Sequence, residues 1–165
     1  MNAVIRKIAP SDNVVVANVI RTVMPEFGAG GKGFAIHDPE VDNIHGAFSQ
    51  PRTAYFVCEV DGDDNNKKVV GGGGVAPLLG GDENTCELKK MYFLKEARGK
   101  GLGKKLVERC LVAAKEIGFE YCYLETFNTM KEAMVLYEKV GFEKIPGPLG
   151  NTGHFACDTF YMKKL

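Results

Sequence analysis

The chain has no net charge, no long apolar run, no paired cysteines and no spaced histidines, and each absence removes a class of function. Its 165 residues carry 21 lysines and arginines against 21 aspartates and glutamates. No overall field therefore draws it to nucleic acid or to an anionic lipid surface. No stretch reaches the ~18 consecutive apolar residues of a membrane span, and the N-terminus lacks a signal-peptide pattern. The five cysteines (Cys58, Cys86, Cys110, Cys122, Cys157) are odd in number, scattered and without a Cys-x-x-Cys pair. They read as buried, reduced thiols of a cytoplasmic protein. His37, His45 and His154 show no ligand spacing, so no metal is expected. What remains, 45% hydrophobic and 25% charged residues, is ordinary for one soluble domain spanning residues 1–165 with a sizeable core.

The pattern alternates between strand and helix periods. Val4–Ile8 reads as a strand. Ser11 opens a helix with Val14, Val15, Ala17, Val19, Ile20 and Val23 as its apolar stripe, ended by Pro25 and Gly28. A flexible glycine loop follows over residues 28–33. Asp38-Pro39-Glu40 has the form of a helix start, predicting a second helix through Ile44 to Phe48. Thr53–Val60 and the segment from Val69 form a hairpin around Asp61-Gly62. The run Gly71-Gly72-Gly73-Gly74 within the second strand marks either a bulge with tight packing or a close approach to substrate. A strand carrying Glu87, a helix from Gly99 to Ile117, a strand over Tyr121–Thr126, a helix over Met130–Val140 and strands over Phe142–Ile145 and Phe155–Met162 complete the chain. This order predicts an α+β fold, a mixed and mostly antiparallel sheet flanked by about four helices.

The most informative stretch is Glu87-Leu88-Lys89-Lys90-Met91-Tyr92-Phe93-Leu94, followed by Arg98-Gly99-Lys100-Gly101-Leu102-Gly103-Lys104-Lys105. It reads as a strand, a glycine turn and a helix start. Nearly bare backbone at a helix N-terminus is an anion site, because unpaired N–H groups point outward and the helix dipole adds partial positive charge. The phosphate-loop pattern fails, since Gly103-Lys104 is followed by Lys105 and Arg98 stands where the first glycine belongs. The dinucleotide fingerprint fails as well, because Gly99-x-Gly101 leads to Lys104.

Arg98, Gly101 and Gly103 do fit Arg-x-x-Gly-x-Gly, with the Glu87–Tyr92 strand before them and Leu136-Tyr137-Glu138-Lys139-Val140-Gly141-Phe142 downstream. On these residues the chain resembles the GNAT acyltransferase superfamily from about Ile5 to its last strand. The resemblance implies the GNAT N-acyltransferase fold, with acetyl-coenzyme A as acyl donor and its pyrophosphate on the amides of Arg98, Gly99, Lys100, Gly101, Leu102, Gly103 and Lys104. It also implies a pantetheine arm lying along Met91, Tyr92 and Phe93, whose side chains serve the core at the same time, and a cofactor contact from Asn128, which otherwise reads as a turn or cap residue.

The implied reaction is direct attack of an amine on a thioester through a tetrahedral intermediate. An alkyl ammonium of pKa ~10.4 is neutral in only about one molecule in 2,500 at pH 7, whereas an α-amine near ~7.8 is neutral in roughly one in seven. A base therefore matters, and Glu87 matches the position of the family's catalytic glutamate. Its alternatives are a solvated strand glutamate or an ion pair with Lys89 or Lys90. Tyr137 resembles the tyrosine that protonates the departing thiolate; its alternative is a half-buried helix aromatic. The acceptor side is expected from the first two helices with their loop, Phe27–Asp38, and the last hairpin, Gly147–Thr159; Asp38, Glu40, His154 and Asp158 read as structural or surface residues that are also available for an ammonium or a polar head. The expected activity is acetylation of a primary amine of a small metabolite, an amino acid or related amine. A non-catalytic acyl-coenzyme A sensor and a protein N-terminal or lysine acetyltransferase are the alternatives. The resemblance leaves a homodimer open and implies neither nucleic-acid nor membrane partners.

Overall fold

Residues 2–165 are described by a computed structural model. Seven strands form one sheet: β1 (Ala3–Lys7), β2 (Ala54–Asp61), β3 (Lys67–Pro77), β4 (Thr85–Phe93), β5 (Tyr121–Thr126), β6 (Glu143–Ile145) and β7 (Thr159–Lys164), in the spatial order β1-β2-β3-β4-β5-β7-β6. Every pairing is antiparallel except β4 with β5. That pairing is also short. It covers Thr85↔Tyr121, Cys86↔Cys122 and Glu87↔Tyr123, after which the two strands part. The main chain of β4 beyond Glu87 thus has no strand partner on that side, which leaves backbone donors and acceptors facing a wedge.

Four helices cover the sheet: α1 (Asn13–Glu26), α2 (Ile44–Ala47), α3 (Leu102–Ile117) and α4 (Lys131–Lys139). Leu106, Val107, Cys110 and Ala114 of α3 bury their stripe against Phe56, Leu88, Cys122 and Leu124 on one face. Val16, Ile20 and Met24 of α1 pack with Ile44, Tyr55 and Val57 on the other. Each fully buried aliphatic side chain contributes about 1.5–3 kcal/mol. Asp12, buried at the foot of α1, accepts two bonds from Arg6 at 2.8 and 3.0 Å and the Ala9 N–H at 2.7 Å, tying β1 to the helix.

The glycine run is explained by packing rather than by substrate. A Cβ placed at Gly74 would lie 2.5 Å from the Ala54 carbonyl oxygen, and one at Gly73 would lie 2.3 Å from the Met91 methyl. The sheet also bulges here. Gly72 pairs with Tyr92 and Gly74 with Lys89, so Gly73 stands opposite both Lys90 and Met91. Lys90 takes a left-handed φ of 56°, held by the Tyr55 hydroxyl donating to its carbonyl at 2.8 Å.

Two expected elements differ. The helix after Asp38 is a 3-10 segment, Pro39–Asn43, followed by the single turn α2. Asp38 makes no cap; its carboxylate goes to Lys90 instead, and Asn43 caps α2 by accepting the Gly46 N–H. The last strand starts at Thr159, not Phe155. The Phe155 ring is used against Gly33, and the Ala156 N–H donates to the Gly33 carbonyl at 3.3 Å.

Candidate active site

Helix α3 begins without a side-chain cap, because its N-cap residue is Gly101, at φ 76°. The N–H groups of Leu102, Gly103 and Lys104 therefore have no partner inside the helix. Those of Gly99, Lys100 and Gly101 have no backbone acceptor either. Gly99, at φ 73°, and Gly101 would each meet nothing within 4 Å if given a Cβ, so the left-handed turn opens onto free space. Lys104 adds positive charge beside it, braced by Glu108 at 3.8 Å.

Arg98 lines the same opening, with its amide donating to Lys95 O at 3.2 Å. Its guanidinium donates to Phe93 O and Glu26, both at 2.9 Å, and lies 5.0 Å from the Phe27 ring centroid. Arg98 thus fastens the turn to the end of α1. Lys100 likewise bends back, donating to Glu96 O at 2.6 Å.

The turn opens into a largely apolar cleft of about 570 Å³ between β4 and α4, walled by Met91, Tyr92, Phe93, Met130, Leu136 and Tyr137 among others. A second, small cavity of about 40 Å³ adjoins it, the inner chamber, bounded by Glu87, Lys89, Glu125, Phe127, His154 and Cys157 among others. The two share Met91, Tyr92, Met130 and Tyr137. Tyr137 thus stands at the junction and Glu87 in the inner chamber. Asn128 lines neither; its amide donates to Asp158 Oδ1 at 2.9 Å and its side chain is exposed. Asp158 is occupied by that contact and by the Thr159 hydroxyl, away from both cavities.

Glu87 is 5% exposed and makes no hydrogen bond among the described residues. Burial raises its pKa above the carboxylate range, against the lowering effect of Lys89. Glu87 forms no ion pair with Lys89 or Lys90, whose ammonium groups go to Glu40 and Asp38 instead. Lys89 lies 2.9 Å from Glu40, and Lys90 lies 3.1 Å from Glu40 and 2.5 Å from Asp38. Burial opposes ionisation of Asp38, but the bond to His154 and the charge of Lys90 outweigh it and hold its pKa down to about 2. Tyr137 is 6% exposed, its ring edge-on to Phe142 at 5.9 Å. Its phenol has no hydrogen-bond partner among the described residues, and burial raises its pKa.

Glu125 did not stand out in the sequence. Strand alternation was its available signal: it lies two residues beyond Tyr123, the partner of Glu87, and so shares that residue's face. Of the cysteines, Cys157 lines the smaller of these two cavities, half-buried and with its thiol pushed up to about 12 by burial, an unreactive state. Among the described residues, no group of His, Cys, Asp and Glu is arranged to hold a metal. No described helix is long and apolar enough to cross a membrane.

A helix start left uncapped by glycine, a parted parallel strand pair and a tyrosine at their junction define an acyl-transfer scaffold, and the chain belongs to the acetyltransferase (GNAT) family, whose family model matches residues 19–142. It is 47% identical over 163 residues to the uncharacterised N-acetyltransferase YjgM of Escherichia coli (strain K12), covering 98% of this chain and 95% of that one. Its fold is that of a GNAT-family acetyltransferase from Staphylococcus aureus Mu50, with a TM-score of 0.82 at 24% identity over 99% of both chains. The same fold is found in yncA of Salmonella typhimurium, solved with its cofactor acetyl-CoA (TM-score 0.75, 20% identity, 99% of this chain and 94% of that one). A phosphinothricin acetyltransferase from Sinorhizobium meliloti, in complex with acetyl-CoA, matches with a TM-score of 0.75 at 18% identity, over 100% of this chain and 89% of that one.

Proposed function

We propose that residues 1–165 form a single acetyltransferase domain that moves an acetyl group from acetyl-coenzyme A to a primary amine of a small metabolite, an amino acid or related amine. The observation that carries this reading is the continuity of three features: the uncapped amides at Gly99–Lys104, the apolar cleft, and the inner chamber holding Glu87. The residues fit the donor. Anionic phosphates suit the α3 amides and Lys104, and an amide-bearing arm suits the unpaired β4 main chain at Met91–Phe93. Bound acetyl-coenzyme A supplies an activated acetyl thioester.

Each protein group then has a defined task. A carboxylate oxygen of Glu87 takes the proton that the acceptor ammonium must lose. Its raised pKa brings it closer to neutrality, where a general base works best. The Tyr137 hydroxyl, protonated and without another partner, gives its proton to the departing sulfur. The burial that raises the phenol also raises a thiolate formed beside it, so the transfer is not blocked by their ordinary pKa values. Phe34, Phe127 and Met130 give the chamber part of its apolar wall. We place the protein in the cytoplasm, where its free thiols stay reduced.

The test is a thiol-release assay with acetyl-coenzyme A and a broad amine panel, alongside calorimetry of donor binding. Release of coenzyme A dependent on a small amine supports the reading. Donor binding without release from any amine leaves a binding module and overturns catalysis; acetylation confined to protein lysines or N-termini overturns the acceptor class.

A further inference from the structure

The charges around the inner chamber do not balance. Lys89 and Lys90 are matched by Glu40 and Asp38, and His154 Nε2 sits 2.7 Å from Asp38 Oδ2. Two carboxylates remain, Glu87 and Glu125. Neither has a lysine, arginine or histidine nitrogen of the described residues within ion-pair reach. Both lie on one face of the sheet, since Glu87 pairs with Tyr123 and Glu125 follows by two.

Glu125 is held in place by neutral donors. Its Oε1 accepts from the Tyr123 hydroxyl at 3.0 Å and from the Thr152 hydroxyl at 2.8 Å, and Oε2 lies 3.0 Å from the same threonine oxygen. Tyr123 is fixed in turn by accepting the Leu149 N–H at 3.1 Å. Two hydroxyl protons leave about half of a carboxylate's roughly four acceptor directions unused. A half-buried, preorganised carboxylate with spare acceptor capacity and no counter-cation is matched by a cationic guest.

We propose that Glu125 is a specificity-determining residue that binds a second cationic group of the acceptor, so that the preferred substrates are diamines or other amines bearing a second basic nitrogen. The inference rests on the acetyltransferase reading above and narrows its acceptors, from amino acids and related amines in general, to those with a second basic nitrogen. One nitrogen attacks after losing its proton to Glu87; the other keeps its charge on Glu125. A negative group at the second position would face Glu125 directly and is rejected.

Equal-length acceptors test this: butane-1,4-diamine, butylamine and 4-aminobutanoate, with their shorter and longer homologues, assayed by thiol release at saturating acetyl-coenzyme A. The diamine is expected to exceed the monoamine in kcat/KM by roughly ten- to a hundredfold, the range of a charge-assisted bond, with the carboxylate lowest. In Glu125→Gln, whose amide oxygen can still accept from Tyr123 and Thr152, the diamine-to-monoamine ratio is expected to fall to within about threefold, mainly through the diamine's KM. Equal rates for diamine and monoamine, a preference for the carboxylate, or a ratio that survives Glu125→Gln would overturn the proposal while leaving acetyl transfer standing. No release from any amine overturns both.

Discussion

Asp38 and His154, 116 positions apart, meet at 2.7 Å and tie together the two loops that carry them. The same aspartate oxygen takes the fully buried Lys90 ammonium at 2.5 Å. One carboxylate therefore fastens a loop to the sheet bulge and to the opposite loop.

Removing that charge leaves Lys90 with Glu40 alone. Asp38→Asn is expected to destabilise the fold by about 3 kcal/mol, the lower end for breaking a buried pair, as measured by denaturant unfolding at pH 7. The folded pKa lies below the ordinary 3.8, at about 2. The stabilisation is therefore complete above the unfolded value and is lost as pH falls towards about 2. The gap between wild type and variant should close over that window.

Glu87 works in the opposite direction. Burial raises its folded pKa, so the folded state binds more protons than the unfolded one, and stability falls as pH rises through the folded value. Glu87→Gln is expected to raise Tm by a few degrees at neutral pH, on the order of 1 kcal/mol of stabilisation, and to do nothing below the ordinary carboxylate range. It is also expected to lower kcat/KM by about 10²–10⁴ and to abolish the acid limb of the pH–rate profile. A variant both less stable and fully active would refute the assignment.

Tyr137→Phe separates chemistry from packing. The hydroxyl has no partner to lose, so unfolding free energy should change by less than about 0.5 kcal/mol. The kcat should still fall by about 10²–10⁴. Single-turnover and steady-state assays on the same preparation would settle which change occurs.

The glycine run makes a graded prediction. At Gly74 the obstacle is the Ala54 carbonyl, which is backbone; at Gly73 it is the flexible end of Met91. Gly74→Ala should cost about 3 kcal/mol and Gly73→Ala about 1 kcal/mol. Equal losses in urea unfolding would show that strand propensity, and not crowding, sets these positions.

Much of the fold was legible because periodicity and glycine placement are local. The α3 stripe from Leu102 to Ala114 and the stop at Gly118, φ 109°, follow directly from the spacing. The partners of charges were not legible. Asp38-Pro39 has the form of a helix cap, yet its carboxylate is taken by Lys90, which arrives only through a bulge set by distant Gly73. The Arg98 guanidinium goes to Glu26, 72 positions away, a partner that the local motif does not announce. Glu125 stayed hidden because a lone strand glutamate has meaning only once the β4–β5 pairing sets it beside Glu87.

That pairing has a mechanical side. Strands β1 to β4 and strands β5 to β7 are stitched by only three rungs, and the remaining seam gapes. Whatever lies in the seam acts as a strut between two half-sheets. Amide exchange in β5 should therefore slow when acetyl-coenzyme A is added, well beyond the atoms it touches, making the rigidity of the molecule a property of the filled seam.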